Sequence, residues 1–189
     1  DKLKEAEKHY KNNNIIKEEC IISLEQKEQL SQLSSKYIPG AYLNEILDES
    51  KCMSIKFHIG KRSFSINCYR MNNISNTDFE LLIKSVWMWL YIISTESQST
   101  YGKHLNIIFA FVPHKKEFFT DSNEIFDTIH INSALTQVCQ PENNILIFRR
   151  EECFKVFLHE SFHCFGVDFS IQDNNKIRAE LSRIFNFKK

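Results

Sequence analysis

His159-Glu160-Ser161-Phe162-His163 sets two imidazoles four residues apart with a carboxylate beside the first. On a helix, residues i and i+4 lie one above the other, so both rings can meet a single Zn²⁺ at about 2.0 to 2.1 Å through ring nitrogens. Glu160 then stands where a general base can take a proton from a metal-activated water, and the chemistry this spacing supports is hydrolysis of a peptide bond. With 7 His and 17 Glu in 189 residues, about 0.02 such motifs are expected by chance, so the spacing carries information. Ligation needs neutral imidazoles, so metal and activity are expected to be lost in acid.

The motif needs a helix, and the flanking residues supply one. Phe154, Phe157, Leu158, Phe162 and Phe165 read as its core stripe, leaving His159 and His163 on a neighbouring face, and Gly166 stands where a left-handed C-cap belongs. A short strand, Ile145 to Phe148, precedes it. Further upstream, Leu105 to Val112 is nearly all apolar, the pattern of a central strand covered on both faces and stopped by Pro113. Thr77-Asp78-Phe79-Glu80 is a capping box opening a buried helix through Leu82, Ile83, Val86, Trp87, Leu90 and Tyr91. Met53, Ile55, Phe57 and Ile59 alternate with polar residues, as do Phe64, Ile66 and Cys68. A two-residue turn at Gly60-Lys61 would pair Ile59 with Arg62, Phe57 with Phe64, Ile55 with Ile66 and Met53 with Cys68 on one face. Thr128 to Val138 is expected as an irregular extended segment, and residues 175–184 as a further helix.

Residues 1–36, rich in Lys, Glu, Gln and Asn, read as a solvated helical arm, because the apolar positions do not sustain heptads. Residues 37–189 then form the domain proper, an α+β layer of mixed sheet with a backing helix and the motif helix. Lys+Arg and Asp+Glu are both 24, which gives no basic footprint for nucleic acid. No apolar run approaches the ~20 residues of a membrane span, and the first residues lack the apolar core of a signal peptide. Six scattered cysteines without a CxxC pair read as free thiols in a reducing, intracellular compartment.

The run from Asn144 to Ser170, together with Asn132-Ser133-Ala134-Leu135-Thr136 and Cys139, resembles the zincin superfamily of zinc metallopeptidases. More narrowly it resembles the uncharacterised zincin-like proteins of large and giant DNA viruses, over about Ile129 to Ser170. The resemblance implies a zincin-like domain, a peptide or protein substrate and a setting in an infected host cell or virion. It also implies that His130 and Asn132 lie on the edge strand where substrate backbone is paired. His130 is then either a stabiliser of the oxyanion or an ordinary surface histidine.

The third metal ligand is where this sequence departs from the family. The pattern H-E-x-x-H-x-x-G-x-x-H matches through Gly166, but its last position is Phe169, which cannot bind metal. Asp168, one residue short, is taken as the third ligand, with a cap on the loop as its alternative role. Glu180 on the later helix and a residue beyond Lys189 are the other candidates. Cys153 and Cys164 read as buried thiols, Arg149-Arg150 with Lys155 as a solvated corner, and Trp87 and Trp89 as core. Two functions follow as expectations: a zinc peptidase with His159, His163 and Asp168 on the metal and Glu160 as base, or a catalytically silent zincin scaffold that binds a virion or host partner.

Overall fold

The computed structural model describes residues 1–34, 38–116, 132–168 and 183. It is a mixed α+β fold built on one six-stranded sheet of order β1-β2-β3-β4-β6-β5. The strands are β1 (Ile16–Ile21), β2 (Lys51–Ile59), β3 (Arg62–Cys68), β4 (His104–Val112), β5 (Ala134–Thr136) and β6 (Glu142–Arg149). Among the described residues the α-helices are α1 (Lys2–Lys11), α2 (Leu24–Ser34), α3 (Gly40–Leu47), α4 (Asn76–Glu96) and α5 (Cys153–Phe165). Strands β1 to β3 are antiparallel, β3, β4 and β6 are parallel, and β5 runs antiparallel to β6 at the edge.

The β2–β3 register is the one the alternation dictates, from Ile59 opposite Arg62 to Met53 opposite Cys68. Gly60 makes the turn possible, at a φ of 59° that other residues adopt at a cost. Strand β4 is covered on both sides. Leu105, Ile107 and Phe109 pack under α4 and α5, and Ile108, Ala110 and Val112 face the layer that contains Leu30, Tyr42 and Ile46. Among the described residues no helix is long and apolar enough to cross a membrane.

Helix α4 starts two residues earlier than the Thr77 capping box suggests. Ser75 is the N-cap: its Oγ accepts from the Asp78 N–H at 3.1 Å and donates to Asp78 Oδ2 at 2.7 Å. Both serine and threonine here have an acid three residues on, and the one whose acid turns back onto it wins. At its other end Arg62 holds α4 to the sheet, donating to the carbonyls of Ser94 (2.7 Å), Gln98 (2.7 Å) and Tyr101 (3.2 Å). The same guanidinium lies 5.6 Å from the ring of Phe165 in α5.

The N-terminal segment is not one solvated helix. Residues 16–21 form an edge strand on β2, and Asn12-Asn13-Asn14 lie between α1 and that strand. Helix α1 packs on α4, with Ala6 fully buried, Tyr10 against Trp87 at 5.6 Å and His9 stacked on Tyr91 at 4.8 Å. Strand β1 escapes a pattern search because Ile16, Lys17, Glu18 and Glu19 are all exposed; its identity comes from the ladder that β2 offers. Residues 35–37, 117–131, most of the expected helix at 175–184, and with them His130, Phe169 and Glu180, lie outside the described residues.

Candidate metal centre

Strand β6 delivers the chain to α5 through a tight corner at Arg150 to Glu152, where Glu152 holds a left-handed φ of 59°. From there the helix turns Phe157, Ser161, Cys164 and Phe165 into the core, positions i, i+4, i+7 and i+8 of one face. This differs from the expected stripe: Ser161 and Cys164 are buried, Phe154 and Leu158 are only partly so, and Phe162 is 38% exposed. The reason is a polar partner. Trp89 Nε1–H of α4 donates to Ser161 Oγ at 2.7 Å, Ser161 donates on to the Leu158 carbonyl at 2.7 Å, and Phe162 packs edge-on against the Trp89 ring. Trp89, read from sequence as core, thus sets the rotation of α5 through the residue next to Glu160.

That rotation brings His159 and His163 together. Their rings are perpendicular, with centroids 4.7 Å apart and the two Nε2 atoms 3.2 Å apart. Two ring nitrogens each 2.0 to 2.1 Å from a tetrahedral ion would be about 3.3 Å apart. The pair therefore fits a metal ligated through both Nε2 atoms, and imidazole donors suit zinc.

Asp168, expected on the metal, contacts the other side of the ring. Its Oδ2 meets Nδ1 of His163, while the nitrogen facing His159 is Nε2. The turn that follows α5 is responsible. Gly166, at φ 62°, ends the helix; its N–H donates to His163 O at 3.3 Å and the Val167 N–H to Phe162 O at 3.1 Å. This Schellman closure folds the chain back along the helix end, which lays Asp168 against the rear of His163. A carboxylate beside Nδ1 favours the tautomer protonated there, which leaves Nε2 as acceptor.

The turn also lies against a crowded wall. A Cβ built on Gly166 would lie 2.7 Å from Cys139 Sγ and 3.0 Å from the Tyr101 ring. Gly166→Ala is expected to lower stability by at least ~1–2 kcal/mol for the left-handed conformation alone, and to weaken any zinc binding by His159 and His163 about 10-fold or more by moving Asp168. Thermal unfolding and a competitive chelator titration read the two effects. Wild-type affinity in this variant would mean that Asp168 does not orient His163.

Glu160 sits between the helix and the sheet edge. Burial raises its carboxyl above the usual carboxylate range, against the opposing pull of His159 and His163. It lines a cavity of about 360 Å³ with His159, Val156 and the wall Asn132-Ser133-Ala134 that leads into β5. Lys116, Glu152 and Lys155 form its charged rim, the two lysines both paired with Glu152. Among the described residues strand β5 has β6 on one side and is last in the sheet order.

Of the two thiols read as buried, Cys164 is so placed and Cys153 only in part. Cys164 is fully buried and takes a bond from Asn143 Nδ2 at 3.2 Å, and Cys153 is half-buried against the core. The solvated corner is corrected at one residue: Arg150 and Lys155 are exposed, but Arg149 has no exposed surface. Its Nε donates to the Asn132 carbonyl at 3.2 Å and Nη1 to the His114 carbonyl at 3.2 Å, and its guanidinium lies 5.3 Å from the Tyr42 ring. Among the described residues no three His, Cys, Asp or Glu side chains converge on one point. No family model, curated protein or solved structure matches this chain, so the centre is read from its own residues.

Proposed function

We propose that the chain is a zinc-dependent peptidase in which His159 and His163 hold the metal and Glu160 is the general base. The observation that carries this reading is the pair of Nε2 atoms 3.2 Å apart, one residue from a carboxylate that lines a cavity against the sheet edge. A bound zinc ion supplies Lewis acidity that brings the pKa of a water to about 7. The chain supplies the rest. Asp168, with Oδ2 beside Nδ1 of His163, favours the tautomer whose Nε2 lone pair is free for the metal. Glu160 accepts a proton from the attacking water at a carboxylate oxygen and returns it to the leaving amine. The outer edge of β5 offers backbone N–H and C=O groups to an extended peptide, laying it as an added strand across the cavity. Catalytic zinc takes three protein ligands and keeps one open position, and in this reading the third comes from outside the described residues, where Glu180 is a candidate.

Metal content by mass spectrometry tests the proposal. The purified chain is expected to carry about one zinc, and His159→Ala and His163→Ala to carry none while remaining folded by circular dichroism. A folded wild-type chain that takes up no zinc when it is supplied, or a variant that keeps it, would overturn the assignment.

A further inference from the structure

Strands β1 and β2 bring two cysteines face to face, far from the metal-site helix in the sheet order. Cys20 and Cys52 are directly opposed in the antiparallel register, and opposed residues put their side chains on the same face of a sheet. Cys52 is buried in the apolar cluster that includes Leu30, Tyr42 and Ile46, and Cys20 packs half-buried at its margin. A neighbouring bond fixes the ladder position. The Ile22 N–H donates to the Ser50 carbonyl at 3.0 Å, so Ile22 and Ser50 form a hydrogen-bonded pair and, two residues along, so do Cys20 and Cys52. Such pairs have Cα atoms about 5.5 Å apart, inside the roughly 4.4–6.8 Å that a disulfide spans. The other thiols are engaged elsewhere. Cys68 and Cys153 belong to the cluster on the opposite face, Cys164 meets Asn143, and Cys139 meets the His163 carbonyl.

We infer that Cys20 and Cys52, both free thiols here, form a redox modification site that a small-molecule disulfide of the glutathione type closes. Cys20, which reaches solvent, loses its proton and attacks one sulfur of the small disulfide; that S–S bond breaks, one small thiolate leaves and a mixed disulfide forms. Cys52 then loses its proton and attacks the Cys20 sulfur, expelling the second small thiolate. The two cysteines give up two electrons and two protons, and the small disulfide becomes two thiols. Burial, with Cys20 adding to it, pushes the Cys52 thiol up to about 11, which makes the second exchange the slow one. The bond closes a loop from residue 20 to residue 52 that contains α2 and α3. Oxidation therefore fastens the edge strand and the helical layer over the second face of the sheet in one step.

The test uses the full chain, treated with excess oxidised glutathione, then denatured, alkylated and digested with trypsin. The expected product is a peptide pair joining Glu18–Lys27 to Cys52–Lys56 that disappears on reduction. Oxidation should also raise the unfolding midpoint by about 5 to 15 °C, and Cys20→Ser, a substitution at a half-exposed strand position, should abolish both the link and the rise. Recovery of both peptides as alkylated thiols, a stable glutathione adduct left on Cys20, or a link from either residue to a third cysteine would overturn the inference. So would an equal rise in the midpoint of oxidised Cys20→Ser.

Discussion

Glu160→Gln is expected to remove peptide hydrolysis, a fall of about 10²–10⁴-fold in kcat, with zinc content and fold unchanged. The amide is isosteric with the carboxylic acid but cannot accept the water proton. It is tolerated because burial disfavours the charged carboxylate, so a neutral group at this position does not add a desolvation cost. The proposed metal binding is insulated from the change, since the nitrogens that converge belong to His159 and His163. The expected result is thus a zinc-loaded, folded and inert chain, measured by metal analysis beside turnover of a peptide library. His163→Ala gives the contrast, because it should lose metal and turnover together. Hydrolysis retained by Glu160→Gln would sink the role given to Glu160, and loss of zinc in the same variant would show that its carboxylate is a ligand instead.

How much of this was legible in the sequence depends on how local each signal is. The β2–β3 hairpin was fully readable, because a left-handed Gly60 and two alternating runs leave one register that buries Phe57, Phe64, Ile55 and Ile66 together. The histidine pair was readable for the same reason: i and i+4 on a helix is geometry that the chain alone sets. Asp168 was readable as close to the histidines but not as to which ring nitrogen it meets, since that depends on how far the Gly166 turn rotates the chain. Strand β1 carried no usable alternation, with four successive exposed residues, and exists because β2 has an edge to pair. Ser161 looked like an arbitrary spacer inside the motif until Trp89, 72 residues away, supplied its donor. Tertiary partners decide such positions, and one chain's spacing does not contain them.

Arg149→Met is expected to be the most destabilising single change near the site and to raise KM more than it lowers kcat. A wholly buried guanidinium is a poor source of stability against an apolar replacement unless its donors are used, and here they are spent on backbone carbonyls. Two of these are the carbonyls of Asn132, at the start of the cavity wall, and of His114, just past the end of β4. Removing the donors leaves those part-buried acceptors without the arginine and takes the cation from the Tyr42 and Phe148 rings. The combined loss is about 2–4 kcal/mol, a fall of roughly 4 to 16 °C in the unfolding midpoint of a chain this size. Lysine would keep the charge but not a planar fork that reaches two carbonyls at once, so Arg149→Lys should recover only part of either effect. The kinetic consequence follows from position. Asn132 leads into β5, the strand proposed to receive substrate backbone, so a loosened wall weakens substrate binding while His159, Glu160 and His163 keep their places on α5. Thermal denaturation with steady-state kinetics on a cleaved peptide separates these. A wild-type midpoint and KM in Arg149→Met would show that the wall is held without the arginine, and an unchanged KM beside a lost midpoint would confine its role to the fold.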